Sequence, residues 1–299
     1  MPGRFRVGLL AAAVLGALAL GPARAQDAKP VFVFTGIPDQ DESRLVERFG
    51  KVATYLEGQL GVPVRYIPVK NYPAAVTAFT NGQVQLAWFG GFTGVQARRA
   101  VPGSLAIAQG AEDAAFRTYL IANAKTGLPA AGAAPSGELP KGIAGRTFSF
   151  GSRASTSGRL MPEHFIRQAF PGRTPDEVFA RVGFSGDHSR TIQLVQSGAF
   201  EVGAVDYSVW DLDSKAGKVD AGQVAVIWQS PPFPDYQWTV RGDVDATFGP
   251  GFTARLTRAL VGIGDPAILE PFGRSRFITV DNAAYDPLIA VGRSTGLLD

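Results

Sequence analysis

Four hydroxyl side chains lie among glycines in the stretch GSRASTSGRLMP, residues 151–162, which we call the serine-rich loop. They are Ser152, Ser155, Thr156 and Ser157, and they follow the apolar run TFSF and precede LMPEHFIRQAF. Two kinds of chemistry use such a cluster. One serine can act as a nucleophile, or several hydroxyl and backbone N–H groups can hold an anion without reacting with it.

A catalytic serine needs a base within hydrogen-bonding distance, usually a histidine. Beyond residue 25 the chain has two histidines, His164 and His188. His164 follows Ser157 by about two helical turns, which is too far along a helix to reach its start, and His188 can approach only through the fold. The turn pattern G-x-S-x-G is absent here. We therefore predict no enzyme, and a serine hydrolase using Ser155 or Ser157 is the less favoured alternative.

The second chemistry follows from the local order of elements. A strand ending at Gly151, then hydroxyl residues, then a helix would direct free backbone N–H groups and the positive end of the helix dipole to one point. Such a site binds an oxyanion without a cation. Ordinary N-capping by serine and threonine is the alternative for each single residue. Pro162 predicts either a kinked first turn or a late start of the regular helix.

The elements around this loop alternate between strands and helices. VFVFTG (residues 31–36) is a continuous apolar run typical of a buried strand, and residues 45–60 repeat apolar side chains every three or four positions, as in an amphipathic helix. Further strands are predicted in GVPVRYIPV, VQLAWFG, LAIAQG and FRTYLIAN. This alternation predicts an α/β fold built around mainly parallel sheets with flanking helices.

Two breaks in the alternation divide the chain. Residues 124–142 are rich in glycine and proline and predict a loop or linker, and SPPFPDY (230–236) is the second break. We therefore predict two lobes, with 26–123 plus 231–299 in the first and 124–230 in the second.

Residues 1–25 have the pattern of a secretory signal peptide: a basic start, an apolar run and an A-x-A end at Ala25. We expect cleavage near Ala25 and a periplasmic protein. The full chain has 29 basic and 26 acidic residues, and removal of this segment leaves 26 of each. A neutral chain without basic blocks argues against nucleic-acid binding. The absence of cysteine excludes disulfides and thiolate metal sites, and we expect no metal or cofactor.

The longer motifs of this chain resemble those of the phosphonate/phosphite family of substrate-binding proteins of ABC importers. They are KNYPAAVTAFTNGQVQLAWFG, the serine-rich loop, GDHSRTI and IWQSPPFPDYQWTVRGD. The resemblance implies a two-lobed type II periplasmic binding protein with a ligand cleft between the lobes, an inner-membrane ABC permease as partner, and a monomer. FTGIPDQDESRL and LAWFGGFTGVQARRAVPG resemble most the branch labelled selenate-binding. We therefore expect a small tetrahedral oxyanion such as selenate, with phosphonate or phosphite as the alternative.

The resemblance also implies ligand-binding roles for individual residues. Ser155, Thr156 and Ser157 would supply hydroxyl and amide donors, and Tyr72 a phenol donor. His188 follows Gly186-Asp187 at a predicted helix start, where the dipole disfavours the imidazolium, so a neutral N–H donor is expected.

The chain departs from relatives that bind aminoalkylphosphonates through two carboxylates. The apparent counterparts of those carboxylates are Ser208 and Tyr236, although the adjacent Asp235 could substitute, and Phe116 replaces a second ligand tyrosine. These changes argue against a ligand that carries an ammonium group.

Five further positions are candidates for the ligand site, each with a structural alternative. Asp206 ends the strand FEVGAVD; facing the ligand it would select a protonated phosphorus oxyanion over selenate, and otherwise it caps the next helix. Trp88 forms either the cleft wall or part of the core. Gly90 either lets backbone approach the ligand or forms a plain turn. Asp39 and Gln40, after the first strand, either line the cleft or begin a solvated helix.

Overall fold

The computed structural model describes residues 1–3, 29–131 and 137–299. The predicted signal segment falls almost entirely on residues 4–28, outside the described residues, as does part of the predicted linker. Within the described ranges, none of the helices has the length and apolar content needed to cross a membrane.

Eleven strands and eleven α-helices form the described part of the chain. The strands are β1 (Phe32–Gly36), β2 (Val64–Tyr66), β3 (Leu86–Phe89), β4 (Leu105–Gly110), β5 (Thr118–Asn123), β6 (Thr147–Phe150), β7 (Arg181–Phe184), β8 (Val202–Asp206), β9 (Val224–Gln229), β10 (Gln237–Val240) and β11 (Phe277–Thr279). The helices are α1 (Glu42–Leu60), α2 (Tyr72–Thr80), α3 (Gly91–Ala100), α4 (Met161–Ala169), α5 (Pro175–Val178), α6 (His188–Gln196), α7 (Tyr207–Lys215), α8 (Val244–Phe248), α9 (Phe252–Val261), α10 (Pro266–Leu269) and α11 (Asp286–Thr295).

The strands form two separate sheets, one for each lobe. The first has the order β11-β4-β10-β3-β1-β2 and the second β7-β6-β8-β5-β9. β1 pairs in parallel with β2 and β3, and β6 pairs in parallel with β7 and β8. β10 in the first sheet and β5 in the second each run antiparallel to both of their neighbours, and the edge strand β11 runs antiparallel to β4. The structure therefore confirms the two-lobed α/β fold, with mixed sheets.

The predicted boundary after Asn123 is corrected by the pairing of β5. This strand was assigned to the first lobe, but it bonds to β8 and β9 of the second sheet. The chain crosses just before it, where Phe116 forms an isolated antiparallel bridge with Phe233 of the returning segment. Both crossings thus lie side by side, and each is followed by the strand that inserts antiparallel. The other lobe boundaries stay a prediction.

Aromatic rings fill the core of the first lobe. Phe49 of α1 stacks on Tyr66 with ring centroids 4.7 Å apart and meets Trp238 and Phe272 edge to face. α1 places its periodic apolar residues in this core, as the spacing predicts. Two smaller apolar clusters cover the faces of the second sheet. The lobes therefore have cores of their own around a shared crossing.

Two glycines of the first lobe should respond oppositely to alanine. A Cβ on Gly36 would lie 2.3 Å from the Phe49 ring, which neighbouring rings hold in place, whereas a Cβ on Gly58 in α1 meets nothing within 4 Å. We expect Gly36→Ala to lower the free energy of unfolding by roughly 1–3 kcal/mol, because the added methyl group overpacks the core. Gly58→Ala should raise the free energy of unfolding by at most about 1 kcal/mol, because alanine favours the helix more than glycine does. Urea unfolding of both variants tests this, and equal effects would contradict the packing around Phe49.

Candidate functional site

The serine-rich loop forms the start of a helix. Ser155 is the N-cap of a π-helical turn, Thr156–Leu160, and its hydroxyl accepts the N–H of Gly158 at 3.0 Å. The regular helix α4 begins only at Met161 with Pro162 in its first turn, which confirms the late start. Because the first N–H groups of a helical turn have no acceptor within it, the turn presents donors at its N-terminal end.

Thr156 reaches across to the first lobe. Its hydroxyl accepts the N–H of Phe92 at 3.0 Å and bonds to the Asp235 carboxyl, while Asp235 Oδ1 also accepts the N–H of Gly91 at 2.8 Å. Gly90, the N-cap of α3, makes no side-chain cap, and a Cβ there would lie 3.1 Å from Thr156 Oγ1 and 3.2 Å from Asp235 Oδ1. Gly90 therefore permits the approach of these two side chains.

The His188 ring has a defined orientation. Its Nδ1 accepts the backbone N–H of Asp206 at 3.2 Å, so the ring carries its proton on Nε2 in the neutral form. Nε2 is buried without a hydrogen-bond partner among the described residues. The ring Cε1 packs against Gly158 of the serine-rich loop. The His188 ring therefore holds its Nε2 as a buried nitrogen without a protein hydrogen-bond partner in the described ranges, next to that loop.

Asp206 caps α7, which is one of the two roles that the sequence left open. Its Oδ1 caps α7 by accepting the N–H of Val209 at 2.6 Å and also accepts the Ser208 hydroxyl at 2.9 Å. Its Oδ2 accepts the Tyr236 hydroxyl at 2.9 Å and lies 3.7 Å from His188 Nε2. The carboxylate is fully buried. It is therefore a helix cap whose second oxygen lies among the donors of the site.

Tyr72 adds another donor without a partner. It is the first residue of α2, which Asn71 caps, and its side chain is buried. Its hydroxyl has no hydrogen-bond partner among the described residues. Burial raises the pKa of this phenol well above 10, and the charge of Asp206 acts in the same direction. The hydroxyl therefore stays protonated, and a hydrogen bond to an acceptor would stabilise this buried donor.

Trp88 lies in the core behind the site. Its ring stacks on Tyr236 at 5.4 Å and packs edge to face against Phe272 and Phe277. Of the two roles predicted for Trp88, cleft wall or core, the structure favours the core. Trp88 contacts the site through Tyr236, on which it stacks.

Sequence reasoning missed an ion pair beneath the site. Arg274 binds both carboxylate oxygens of Asp113, at 2.9 and 2.6 Å, and its guanidinium lies over the rings of Phe116 and Tyr236. The Asp113 carbonyl in turn accepts the N–H of Asp235 at 3.0 Å. The pair holds the two crossing segments together. Because its members are 161 residues apart, no local pattern indicates it.

Asp235 has an unusual electrostatic environment. Burial raises its pKa to about 7, against the hydrogen bonds from Thr156 and Gly91, which favour the carboxylate. Its Oδ2 is buried and has no hydrogen-bond partner in the described part of the chain. The carboxyl therefore titrates near neutral pH.

The model of the family of periplasmic phosphonate substrate-binding proteins of ABC transporters matches residues 34–285. The chain belongs to this family. It is 38% identical over 268 residues to a probable phosphite-binding protein, PhnD1, of Prochlorococcus marinus, covering 86% of this chain and 87% of that protein. It is 24% identical over 237 residues to a phosphate-import protein, PhnD, of Mycolicibacterium smegmatis, covering 75% and 70%.

The solved structure of the Prochlorococcus PhnD1 in complex with methylphosphonate superimposes with a TM-score of 0.82. It is 37% identical in sequence, and the match covers 89% of this chain and 98% of that one. The binding component of a Pseudomonas aeruginosa phosphonate transporter matches with a TM-score of 0.74 at 20% identity, covering 90% and 87%, which supports the fold alone.

Membership in this family makes the chain a binding component of an ABC importer. Within the described residues neither histidine bonds to a serine. His188 accepts from the backbone of Asp206, and His164 bonds to Gln168. The comparisons support phosphite and phosphonate binding, the alternative named from the sequence, better than selenate.

The pKa of Asp235 predicts a pH effect on stability. Between pH 4 and 7 the folded chain holds a proton that the unfolded chain has lost, so this carboxyl lowers the free energy of unfolding as pH rises. Asp113, whose pKa burial raises to about 6, acts in the same direction. We expect the stability of Asp235→Asn relative to the wild type to grow by roughly 1–4 kcal/mol between pH 4.5 and 7.5.

Urea unfolding across this pH range measures the difference. Asp265→Asn is the control, because Asp265 is an exposed helix cap that bonds to the N–H of Ala267. A difference between Asp235→Asn and the wild type that does not change with pH would contradict the raised pKa.

Proposed function

We propose that this protein is a periplasmic receptor that binds phosphite or a small phosphonate such as methylphosphonate, closes its lobes around it and presents it, as a monomer, to an inner-membrane ABC permease. The observation that carries the proposal is the Asp206 carboxylate, which lies among the donors His188 and Tyr236. The methylphosphonate bound to the related Prochlorococcus protein supports the same ligand class.

An acceptor within a set of donors discriminates between oxyanions by their protons. Phosphite and phosphonates can carry a proton near neutral pH and can donate it to a carboxylate. Selenate and sulfate are fully ionised there and present acceptors only, so a buried carboxylate repels them. Asp206 therefore favours a phosphorus oxyanion, and the first expectation of selenate loses its physical basis.

The remaining groups of the site complement the anion without a full positive charge. Tyr72 and His188 each offer a buried donor that lacks a partner among the described residues. Ser155 and Ser157 lie at the start of the π-helical turn, where free N–H groups and the helix dipole favour negative charge. Preorganised neutral donors of this kind bind strongly in a buried site because they are already oriented.

The site has little to offer an ammonium group. Tyr236 stands where relatives are expected to place a carboxylate, and its hydroxyl occupies Asp206 Oδ2. Phe116 is fully buried between the rings of Tyr207 and Tyr236. We therefore propose that aminoalkylphosphonates bind more weakly than phosphite and methylphosphonate.

A thermal-shift panel tests the function. Ligand-free protein is mixed with phosphite, methylphosphonate, aminoethylphosphonate, phosphate, sulfate or selenate. A ligand at 100 times its Kd stabilises the folded state by about 2.7 kcal/mol, which corresponds to roughly 5–10 °C for a chain of this size. We expect this shift with phosphite or methylphosphonate and none with sulfate or selenate. A shift with selenate alone would contradict the proposal.

Asp206→Asn should alter the selectivity, because asparagine keeps the cap of α7 but removes the negative charge. We expect at least a tenfold weaker affinity for phosphite and a gain of measurable sulfate or selenate binding, both by titration calorimetry. Asp281→Asn is the control, since Asp281 is an exposed cap that bonds to the N–H of Ala284. Unchanged selectivity in Asp206→Asn would place the carboxylate outside the ligand's reach.

Gly158→Ala should weaken binding through His188. The added Cβ would lie 2.9 Å from the ring Cε1 and 3.2 Å from the Gly151 backbone, so the ring must move. We expect at least a tenfold increase in the Kd for methylphosphonate. Gly137→Ala, which meets nothing within 4 Å, is the control. Equal affinities would show that the position of the ring is unimportant.

A further inference from the structure

Two ion pairs join the lobes at the rim of the cleft. Arg44 of α1 bonds to Asp213 of α7 at 2.5 Å, and Lys218, just after α7, bonds to Asp41, the N-cap of α1, at 3.1 Å. α1 belongs to the first lobe and α7 to the second. Each lobe supplies one cation and one anion to these two pairs.

The pair of Arg44 and Asp213 is continuous with the ligand site. Asp213 is 3% exposed and its second oxygen accepts the hydroxyl of Ser189 at 2.9 Å. Ser189 directly follows His188 in the first turn of α6. The carboxylate thus joins the arginine of one lobe to the helix that carries the ligand histidine of the other.

The same first-lobe segment holds α6 at a second point. The N–H of His188 donates to the carbonyl of Asp39 at 3.1 Å. The Asp39 carboxylate is itself bound by Arg48 at 2.8 Å, and both side chains are buried. Residues 39–48, which contain part of the IPDQDE motif, therefore contact the start of α6 and are more than a solvated helix start.

We propose that Arg44 is a positioning residue that acts through Asp213 and Ser189 to hold His188 and the closed lobes around the ligand. This inference rests on the proposed function, in which the ligand is bound by lobe closure. The pair of Lys218 and Asp41 should contribute less to holding the lobes together, because its side chains are 48% and 37% exposed and exposed ion pairs add little stability. Arg44 has the larger effect because its partner is buried and loses its charge compensation when the arginine leaves.

The test separates this role from general stabilisation. If the ion pair forms on closure, Arg44→Gln speeds ligand release and leaves the melting temperature of the ligand-free protein within about 1 °C of the wild type. We expect roughly a tenfold higher Kd for methylphosphonate or phosphite, mainly through faster dissociation, in stopped-flow and calorimetric measurements. Arg44→Lys should restore part of the affinity, and Lys218→Gln should change it less than threefold.

Two controls sharpen the measurement. Lys51→Gln removes a pair within α1, between Lys51 and Glu47, and should leave the Kd unchanged. The double variant Arg44→Gln/Asp213→Asn should bind more tightly than Arg44→Gln alone, because the second change removes the uncompensated buried charge. Raising the salt concentration should speed dissociation in the wild type more than in Arg44→Gln.

A ligand-independent measurement keeps the inference testable if phosphite and methylphosphonate do not bind. The chain has no cysteine, so Gly58→Cys and Lys125→Cys place one spin label on each lobe. Distance distributions should shift toward open lobes in Arg44→Gln. The same distribution in wild type and variant, or a ligand-free melting temperature that falls as much as the ligand-bound one, would overturn the inference. If neither ligand binds but the distance distribution of Arg44→Gln still shifts toward open lobes, only the proposed function is refuted.

Discussion

The cleft depends on one constraint: the free N–H groups at the starts of buried helices must all find acceptors. The π-helical turn, α6 and α7 are each capped by the side chain just before them, which is Ser155, Asp187 and Asp206 respectively. The N-cap of helix α3 is Gly90, which has no side chain, so the Asp235 carboxyl and the Thr156 hydroxyl of the serine-rich loop accept its first N–H groups. Helix capping therefore brings the serine-rich loop against the first lobe and places carboxylates at the site.

This arrangement buries acids at the proposed anion site. Asp113 is compensated by Arg274, whereas Asp235 has its pKa raised to about 7 by burial. Asp206 receives hydrogen bonds from three protein donors. A fully ionised ligand would meet these acids as a repulsive partner, whereas one that carries a proton can share it. In the proposed function, the protein environment, and not a surplus of positive charge, selects a phosphorus oxyanion.

Much of this architecture is predictable from local patterns. The spacing of apolar residues predicts α1 and the strands around it, and the cluster of hydroxyls in residues 151–162 predicts a helix start with donors. The placement of β5 is not predictable in this way, because its apolar pattern is the same in either sheet and its partners are distant in sequence. The pair of Arg274 and Asp113, and the bond of Thr156 to the start of α3, depend likewise on tertiary contacts. These long-range contacts decide which donors remain for a ligand.

A crystal structure of the protein grown with phosphite tests the central claim most directly. The account predicts one phosphite between the lobes, with oxygens within about 2.6–3.2 Å of the Tyr72 hydroxyl and His188 Nε2, and a hydrogen bond from the ligand to Asp206. An ion bound elsewhere, or one in the cleft that leaves Tyr72 and His188 without a contact, would contradict it.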